Sequence, residues 1–256
     1  MLLSNFYIFT FLLNFTFTFA AFIPNDVSKP FATTDNVSIA WVDLTYTGSP
    51  LKTESTACIG GKNNDMIFIF GGSSPFGMNQ SFINQFDTNK QQWINITSIG
   101  IVPTNRYDIS CANFDNGWIA IFSGNGLNIT NDLWIFNTLT LTWNLSNATN
   151  APLPMYGYCA VTLRNGNILY IGGNSYINST TLAYMPMNNL PLYNTKSDTW
   201  ANLSISVPIP SPRKFFSAVL TSNGRRIIIF GGLSNGAVLG DLWILTSPPS
   251  MNTMFR

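Results

Sequence analysis

Histidine is missing from this 256-residue chain, and glutamate occurs once, as Glu54. Histidine is the commonest general base and metal ligand, so its absence excludes many catalytic and metal-binding arrangements. Charged residues make up 9% of the chain, against about 25% in an average soluble domain. The net charge is +1, so no overall field favours nucleic acid or an anionic membrane as a partner.

Cysteine is also scarce, and its number is odd. Cys58, Cys111 and Cys159 cannot all be paired within one chain. Each precedes an apolar run that ends in a small pair, so all three occupy one repeated position. We therefore interpret them as small buried residues of an inner strand rather than as redox groups.

The first 21 residues differ from the rest. Residues 6–22 are apolar and aromatic, and Ala20 and Ala21 end the run, as is typical of a secretory signal peptide. The segment lacks a basic residue before the apolar run, and an uncleaved membrane anchor is the alternative. Eight N-x-[ST] sequons give mild support for a secreted or cell-surface glycoprotein. They lie at Asn36, Asn79, Asn95, Asn128, Asn144, Asn147, Asn178 and Asn202.

What the chain does contain is one cassette repeated four times, with a period of roughly 50 residues. An apolar run ends in a small pair, a polar loop follows, and a short apolar run leads through a turn to Trp. The small pairs are Gly71-Gly72, Ser123-Gly124, Gly172-Gly173 and Gly231-Gly232. Trp93, Trp143 and Trp200 close the first three copies, and the fourth stops before its Trp.

Each cassette predicts four antiparallel strands, a to d, because turn residues separate short apolar runs and no helical periodicity is sustained. One such sheet cannot bury both faces. Stacking several sheets around an axis buries them, which predicts an all-β propeller.

The glycine pair after strand b, and the aromatic residue seven positions before each Trp, resemble the kelch repeat. The aromatic–Trp pairs are Phe86/Trp93, Phe136/Trp143 and Tyr193/Trp200. The resemblance implies that the glycines allow blades to approach and that the aromatic residues pack between blades. Ser123 in place of the first glycine and Pro191 inside the third strand c depart from the pattern, and Pro191 predicts an irregular strand.

The chain ends predict how the ring closes. Trp41, in residues 38–46, holds a strand-d position with no blade before it, and we expect it to supply the missing strand of the last blade. A partial sequence of a longer propeller is the alternative. The predicted organisation is a signal peptide at 1–21, a linker at 22–36, a propeller at 37–245 and a tail at 246–256. The blades are expected at about 51–97, 103–146, 154–204 and 212–245 (with 38–46).

The residues that begin strand a are the candidate partner-binding residues: Arg106, Tyr107, Tyr156, Arg213 and Lys214. The kelch resemblance implies that arginines there can face a pocket mouth and grip carboxylates. The alternative is that they only solvate this end or cap loop carbonyls. Asp132 and Asp241 open strand c in equivalent repeats, which indicates a structural role.

The sequence favours a non-enzymatic scaffold that binds a protein or a glycan through one propeller face, without metal or cofactor. It predicts no nucleic-acid partner, and membrane attachment only through an uncleaved N-terminus. The kelch-like copper oxidases and iron-dependent specifier proteins need a His ligand that this chain lacks. A kelch-fold enzyme that acts on a sugar through Asp and Arg, with Asp108 beside Arg106 as the first candidate, is the alternative.

Overall fold

A computed structural model of the protein describes residues 8–11, 17–20, 43–74, 81–114, 117–127, 129–178 and 181–246. Regular structure in these ranges is almost entirely β, with one short 3-10 turn at Thr45–Thr47. The described residues include no helix with the length and apolar character needed to cross a bilayer.

Four antiparallel sheets follow one another along the chain. The first contains β3 (Thr56–Gly60), β4 (Met66–Phe70), β5 (Ile83–Asp87) and β6 (Gln92–Ile94). The second contains β7 (Cys111–Phe114), β8 (Trp118–Phe122), β9 (Leu133–Asn137) and β10 (Thr142–Leu145). The third contains β12 (Cys159–Thr162), β13 (Ile168–Ile171), β16 (Asn189–Asn194) and β17 (Thr199–Ser204). The fourth contains β18 (Ser217–Leu220), β19 (Arg226–Ser234) and β20 (Ala237–Thr246).

Two smaller pairings complete the inventory of strands. Near the N-terminus, β1 (Ile8–Phe11) pairs with β2 (Phe17–Ala20). Within the third repeat, β11 (Met155–Tyr156), β14 (Asn174–Tyr176) and β15 (Leu182–Tyr184) form a separate three-stranded sheet. Part of the long third b–c connection, expected to be a loop, is therefore β14 and β15.

The sheets are neighbours around one axis, with the first strand of each innermost. Contacts run from β3 to β7, from β7 to β12 and from β12 to β18. Three apolar clusters fill the three spaces between successive sheets. This radial stacking confirms the predicted all-β propeller of antiparallel sheets. The number of blades in a complete ring stays a prediction.

The ring-closing strand cannot be followed, because Trp41 lies outside the described residues. Thr45 and Tyr46, expected at its end, are instead in the 3-10 turn. Thr47 accepts a hydrogen bond from Trp93 Nε1 at 3.2 Å. Ile99, six residues after Trp93 as Thr47 is six residues after Trp41, lies beside Trp143 through a backbone bond instead: the Trp143 backbone N–H donates to the Ile99 carbonyl at 3.1 Å. Residues 43–47 therefore lead into the first blade as residues 95–99 lead into the second.

Pro191 disturbs its sheet less than expected. β16 runs through it, and Pro191 lies opposite Asn202 of β17. The register with β13 pairs only Leu192 and Tyr193. Proline has no N–H to donate, but Pro191 lies outside the stretch of β16 that pairs with β13. The strand is therefore not interrupted at Pro191.

Candidate functional site

The aromatic–Trp pairs lie where the kelch resemblance implies. Phe136 is directly opposite Trp143, with ring centroids 4.6 Å apart. Trp143 also reaches back to the first sheet, where Phe70 is 5.8 Å away. Trp200 of the third sheet contacts Phe122 of the second at 4.9 Å in the same manner. Each of these tryptophans thus joins its own blade to the preceding one.

The glycine pairs mark the places where blades meet. The second member, Gly72 or Gly173, donates its N–H to the carbonyl of Arg106 or Arg213 in the next blade, at 2.8 Å in both cases. A Cβ at Gly172 would lie 2.6 Å from the Arg213 carbonyl, so a side chain cannot fit. Ser123 takes the glycine-like conformation (φ 51°), and its hydroxyl accepts a hydrogen bond from Met155 N–H at 2.8 Å.

The two arginines predicted to bind a partner are inside the blades. Arg106 is 4% exposed and forms a two-point ion pair with Asp132, at 2.6 and 3.1 Å. Arg213 is fully buried and pairs with Asp241 at 2.6 and 2.8 Å. Burial acts to raise the pKa of both aspartates, but hydrogen bonds, chiefly those from Arg106 and Arg213, outweigh it and hold both pKa values below their usual range.

Each network has a third member and a loop contact. Trp134 Nε1 donates to Asp132 at 2.5 Å, and Trp243 Nε1 donates to Asp241 at 2.7 Å. Arg106 Nε donates to the Thr104 carbonyl at 3.1 Å. This geometry matches the loop-capping alternative rather than a clamp open to a partner. An Arg that already holds an internal carboxylate in two-point contact is not free for another.

A cavity of about 410 Å³ lies on the propeller axis between the inner strands. The backbone closes around its mouth through one residue of each blade: Glu54, Asp108, Gly157 and Phe215. All four have positive φ, between 55° and 66°. Asp108 N–H donates to the Glu54 carbonyl at 3.0 Å, Gly157 N–H to Asp108 at 2.8 Å, and Phe215 N–H to Gly157 at 2.8 Å. We call this chain of hydrogen bonds the mouth belt.

Aromatic side chains collect around the belt. Tyr156 packs on Tyr176 at 5.7 Å and on Phe215 at 6.4 Å. Lys214 Nζ lies over the Tyr156 ring at 5.2 Å and over the Phe215 ring at 4.8 Å. Tyr176 donates its hydroxyl to Asn125 Oδ1 at 3.0 Å. Tyr156 itself is 7% exposed, so the aromatic surface that the mouth presents to solvent comes from the half-buried Tyr107 and Tyr176, beside the Lys214 cation.

The electrostatics of the mouth centre on Asp108. Burial, followed by the nearby Glu54 carboxylate, raises the Asp108 pKa to about 7, against the lowering effects of Lys214 and Asn125. Burial also raises the pKa values of Tyr107 and Tyr176, and Asp108 adds to both shifts. Perturbed groups that meet in a cleft are typical of a functional site.

Of the five predicted partner-binding residues, Tyr107, Tyr156 and Lys214 meet at the mouth, whereas the guanidinium groups of Arg106 and Arg213 do not join them. Sequence reasoning missed Glu54 and Phe215. Both share with Asp108 a left-handed backbone conformation, but these positions have no residue type in common, so no sequence pattern indicates them. The one available signal was that Glu54 is the only glutamate in the chain.

The cysteine interpretation needs a correction. Cys58 and Cys111 form a disulfide between β3 and β7, with Cα atoms 6.4 Å apart. Equivalent positions on neighbouring inner strands converge at the axis, which the odd number of cysteines concealed. Cys159 is the unpaired one; its Sγ donates to the Phe216 carbonyl at 3.0 Å, and burial raises its pKa to about 12.

The predicted loops between strands b and c also carry apolar residues, Phe76, Leu127, Tyr176 and Leu233, which the sequence places near the same end of the propeller as the strand-a entries. Leu127 is fully exposed on its loop, and Phe76 lies beyond the described residues. Within the described ranges, no three Cys, Asp or Glu side chains are grouped so that they could hold a metal ion.

Residues 24–232 match the family model described as the KLHDC2/KLHL20/DRC7 Kelch-repeats domain. The chain belongs to the kelch-repeat family. The human Rab9 effector protein with kelch motifs is 28% identical over 217 residues, which cover 79% of this chain and 55% of that protein. The host cell factor homolog hcf-1 of Caenorhabditis elegans is 24% identical over 213 residues, covering 74% of this chain and 25% of its own.

Among solved structures, that of YjhT superposes with a TM-score of 0.59 at 19% identity, covering 78% of this chain and 64% of that one. At this identity the likeness concerns the kelch fold alone. The kelch chain spans about half the length of the Rab9 effector proteins that it matches, and a smaller share of the other relatives named.

Proposed function

We propose that this kelch domain is an interaction module that binds a protein partner at the channel mouth. The observation that carries the proposal is the convergence of Tyr107, Tyr156, Tyr176 and Lys214 around Asp108 at one end of the axial cavity. Aromatic residues dominate the energetically important contacts of protein interfaces, because they offer large rigid surfaces.

The printed names of two relatives, a Rab9 effector protein and a host cell factor homolog, support a protein partner over a glycan. A tyrosine-lined mouth with one lysine and two carboxylates can accept apolar, aromatic and hydrogen-bonding side chains of a peptide. The internal Arg106–Asp132 and Arg213–Asp241 pairs would then hold the loops that present these groups.

Panning a phage-displayed random peptide library on the folded chain tests the proposal. We expect selected peptides to lose at least about tenfold in affinity for the Tyr176→Ala variant, as for an interface hot spot, because Tyr176 is only half-buried at the mouth. They should bind the Leu139→Ala variant unchanged, because Leu139 is exposed in the turn between β9 and β10, at the opposite end of the sheet from the mouth. Peptides whose binding does not depend on Tyr176, or a library that yields none, would contradict the mouth as the binding surface.

A second candidate is a histidine-free enzyme that acts on a sugar, and one observation favours it. Asp108, with its pKa raised to about 7, would exchange a proton near neutral pH beside a second carboxylate, as a general acid does. A panel of aryl glycosides assayed with the wild type and with Asp108→Asn tests it. Turnover that vanishes in the variant would establish the enzyme; no turnover by the wild type would remove it.

We also propose that the protein is secreted or displayed at the cell surface after removal of residues 1–21. The apolar segment at residues 6–22, the eight sequons and the Cys58–Cys111 disulfide support this, because disulfides persist in oxidising compartments. Mass spectrometry of the protein from its own cells tests it. An intact Met1 together with an unmodified Asn95 would contradict secretion.

A further inference from the structure

The last sheet presents an apolar face to solvent. Phe230 on β19 and Leu242 and Ile244 on β20 are 53%, 64% and 53% exposed. Phe230 lies opposite Leu242, and Ile228 lies opposite Ile244, so these four side chains share one side of the sheet. We call them the trailing face. A contiguous exposed apolar patch of this kind marks an interaction surface.

The same positions are buried in the other three sheets. The residues equivalent to Phe230 are Phe70, Phe122 and Ile171, and each is 0% exposed. Leu133, equivalent to Leu242, is 2% exposed. The following sheet packs on each of these residues, which is why they are buried. Among the described residues, the trailing face thus has the residue positions of a blade interface, and no further sheet packs on it.

The surface that would complete this interface is present at the other end of the chain. In the second sheet, Ile119, Ile121 and Trp143 cover the sheet before it. The equivalent residues of the first sheet are Ile67, Ile69 and Trp93, and all three are only half-buried. We call them the leading face. It does not cover the trailing face within one chain, since Phe230, Leu242 and Ile244 stay exposed.

We propose that the trailing face binds the leading face of a second copy of this chain, head to tail. Such a contact continues the pattern of the three blade interfaces inside the chain, with the same residue positions on both sides. Because two different patches meet, the assembly closes into a ring if the rotation allows, and otherwise adds copies in a row. This inference is independent of the binding function proposed for the mouth.

Sedimentation velocity of the purified chain over a wide concentration range tests the proposal. The wild type should form dimers or larger species. Phe230→Asp should weaken association by at least about tenfold, because the contact would then bury an unpaired charge. The control is Leu127→Asp, which places the same charge on a fully exposed leucine away from both faces and should associate like the wild type.

Mixing two variants tests the head-to-tail geometry. Phe230→Asp keeps an intact leading face, and Ile67→Asp keeps an intact trailing face. Each alone should be monomeric, and the mixture should give one-to-one complexes through the one undamaged interface. Association that mixing does not restore would contradict the head-to-tail contact. Should Ile67→Asp fail to fold by circular dichroism, Ile67→Thr replaces it in the mixture.

A wild-type chain that stays monomeric at all concentrations overturns the proposal, and a dye on Leu242→Cys then identifies the reason. A shielded dye means that the chain's own residues cover the face. A solvent-exposed dye means that the face awaits a different polypeptide. The labelled chain also carries Cys159→Ser, which removes the unpaired thiol.

Discussion

The second and fourth sheets of this propeller carry the same short motif in different surroundings. Both hold a buried arginine, an aspartate in two-point contact with it, and a tryptophan that donates to the same aspartate. Asp132 of the second sheet has 22% of its side chain exposed, whereas Asp241 of the fourth has 41%. The local network forms in both sheets, so its hydrogen bonds do not depend on a following blade. The exposure of its aspartate does depend on one.

The largest expected difference between the two sheets comes from truncating the same aromatic position in each. Phe122→Ala should lower the free energy of unfolding by about 3–5 kcal/mol, because it opens a cavity under a fully buried ring. Phe230→Ala should cost about 1 kcal/mol or less, since half of that ring is already in water. Urea unfolding at a concentration where the chain is monomeric measures both. Equal losses would mean that Phe230 is buried in solution.

The arginines offer a second contrast. Arg106→Met should lower the free energy of unfolding by about 3–5 kcal/mol, because Asp132 would keep a partly buried charge without its partner. Arg213→Met should lower the free energy of unfolding by less, because water reaches the more exposed Asp241.

The pH dependence of stability gives a second measurement of the same pairs. The pKa values of both aspartates are held below their usual range, so their contribution to stability is present at neutral pH and is lost as the pH falls through the lowered values. Urea unfolding at pH 7 and at pH 3 measures this loss of stability. Arg106→Met and Arg213→Met variants that lose as much stability in acid as the wild type would contradict the contribution of the ion pairs.

A disulfide links the first and second blades, and the inner strand of the third blade carries only the unpaired Cys159. Cys58–Cys111 closes a loop with a sequence separation of 53 residues, so breaking it with Cys58→Ser should cost about 2–4 kcal/mol. The matched control, Cys159→Ser, removes the unpaired thiol of the next inner strand and should cost less. Thiol titration of the unfolded, unreduced chain should find one free thiol. Three free thiols would show that the bridge does not form.

The smallest expected effect concerns Asp108, which behaves opposite to Asp132. Its pKa is raised to about 7, so the folded chain holds a proton that the unfolded chain releases near pH 4. Stability should therefore fall as the pH rises from about 4 to 7, by an amount of order 1–3 kcal/mol. Asp108→Asn should abolish this fall, so the variant should be more stable relative to the wild type at pH 8 than at pH 5. A variant that tracks the wild type from pH 5 to pH 8 would contradict the raised pKa.

Much of the fold could be predicted because it repeats. Phe86, Phe136 and Tyr193 lie opposite their tryptophans as the spacing implied, and a strand pair fixes that relation locally. The mouth could be predicted only in part. Tyr156 and Lys214 were found from their position in the repeat, but Glu54 and Phe215 were not, since the belt is defined by backbone conformation and not by residue type.

The arginines show the limit most clearly. Arg106 and Asp132 are 26 residues apart, and nothing in their separate surroundings in the sequence indicates that they meet. Their pairing depends on how the start of strand a folds over the end of strand b.

Antiparallel sheets of one repeated kind follow from local patterns, because alternating apolar runs, turn residues and glycine pairs act over a few neighbouring residues. The internal charges, the pairing of the cysteines and the open apolar face follow from the packing of the sheets. Those outcomes depend on contacts between residues tens of positions apart, and equal residues such as Phe122 and Phe230 differ solely in whether another sheet lies beside them.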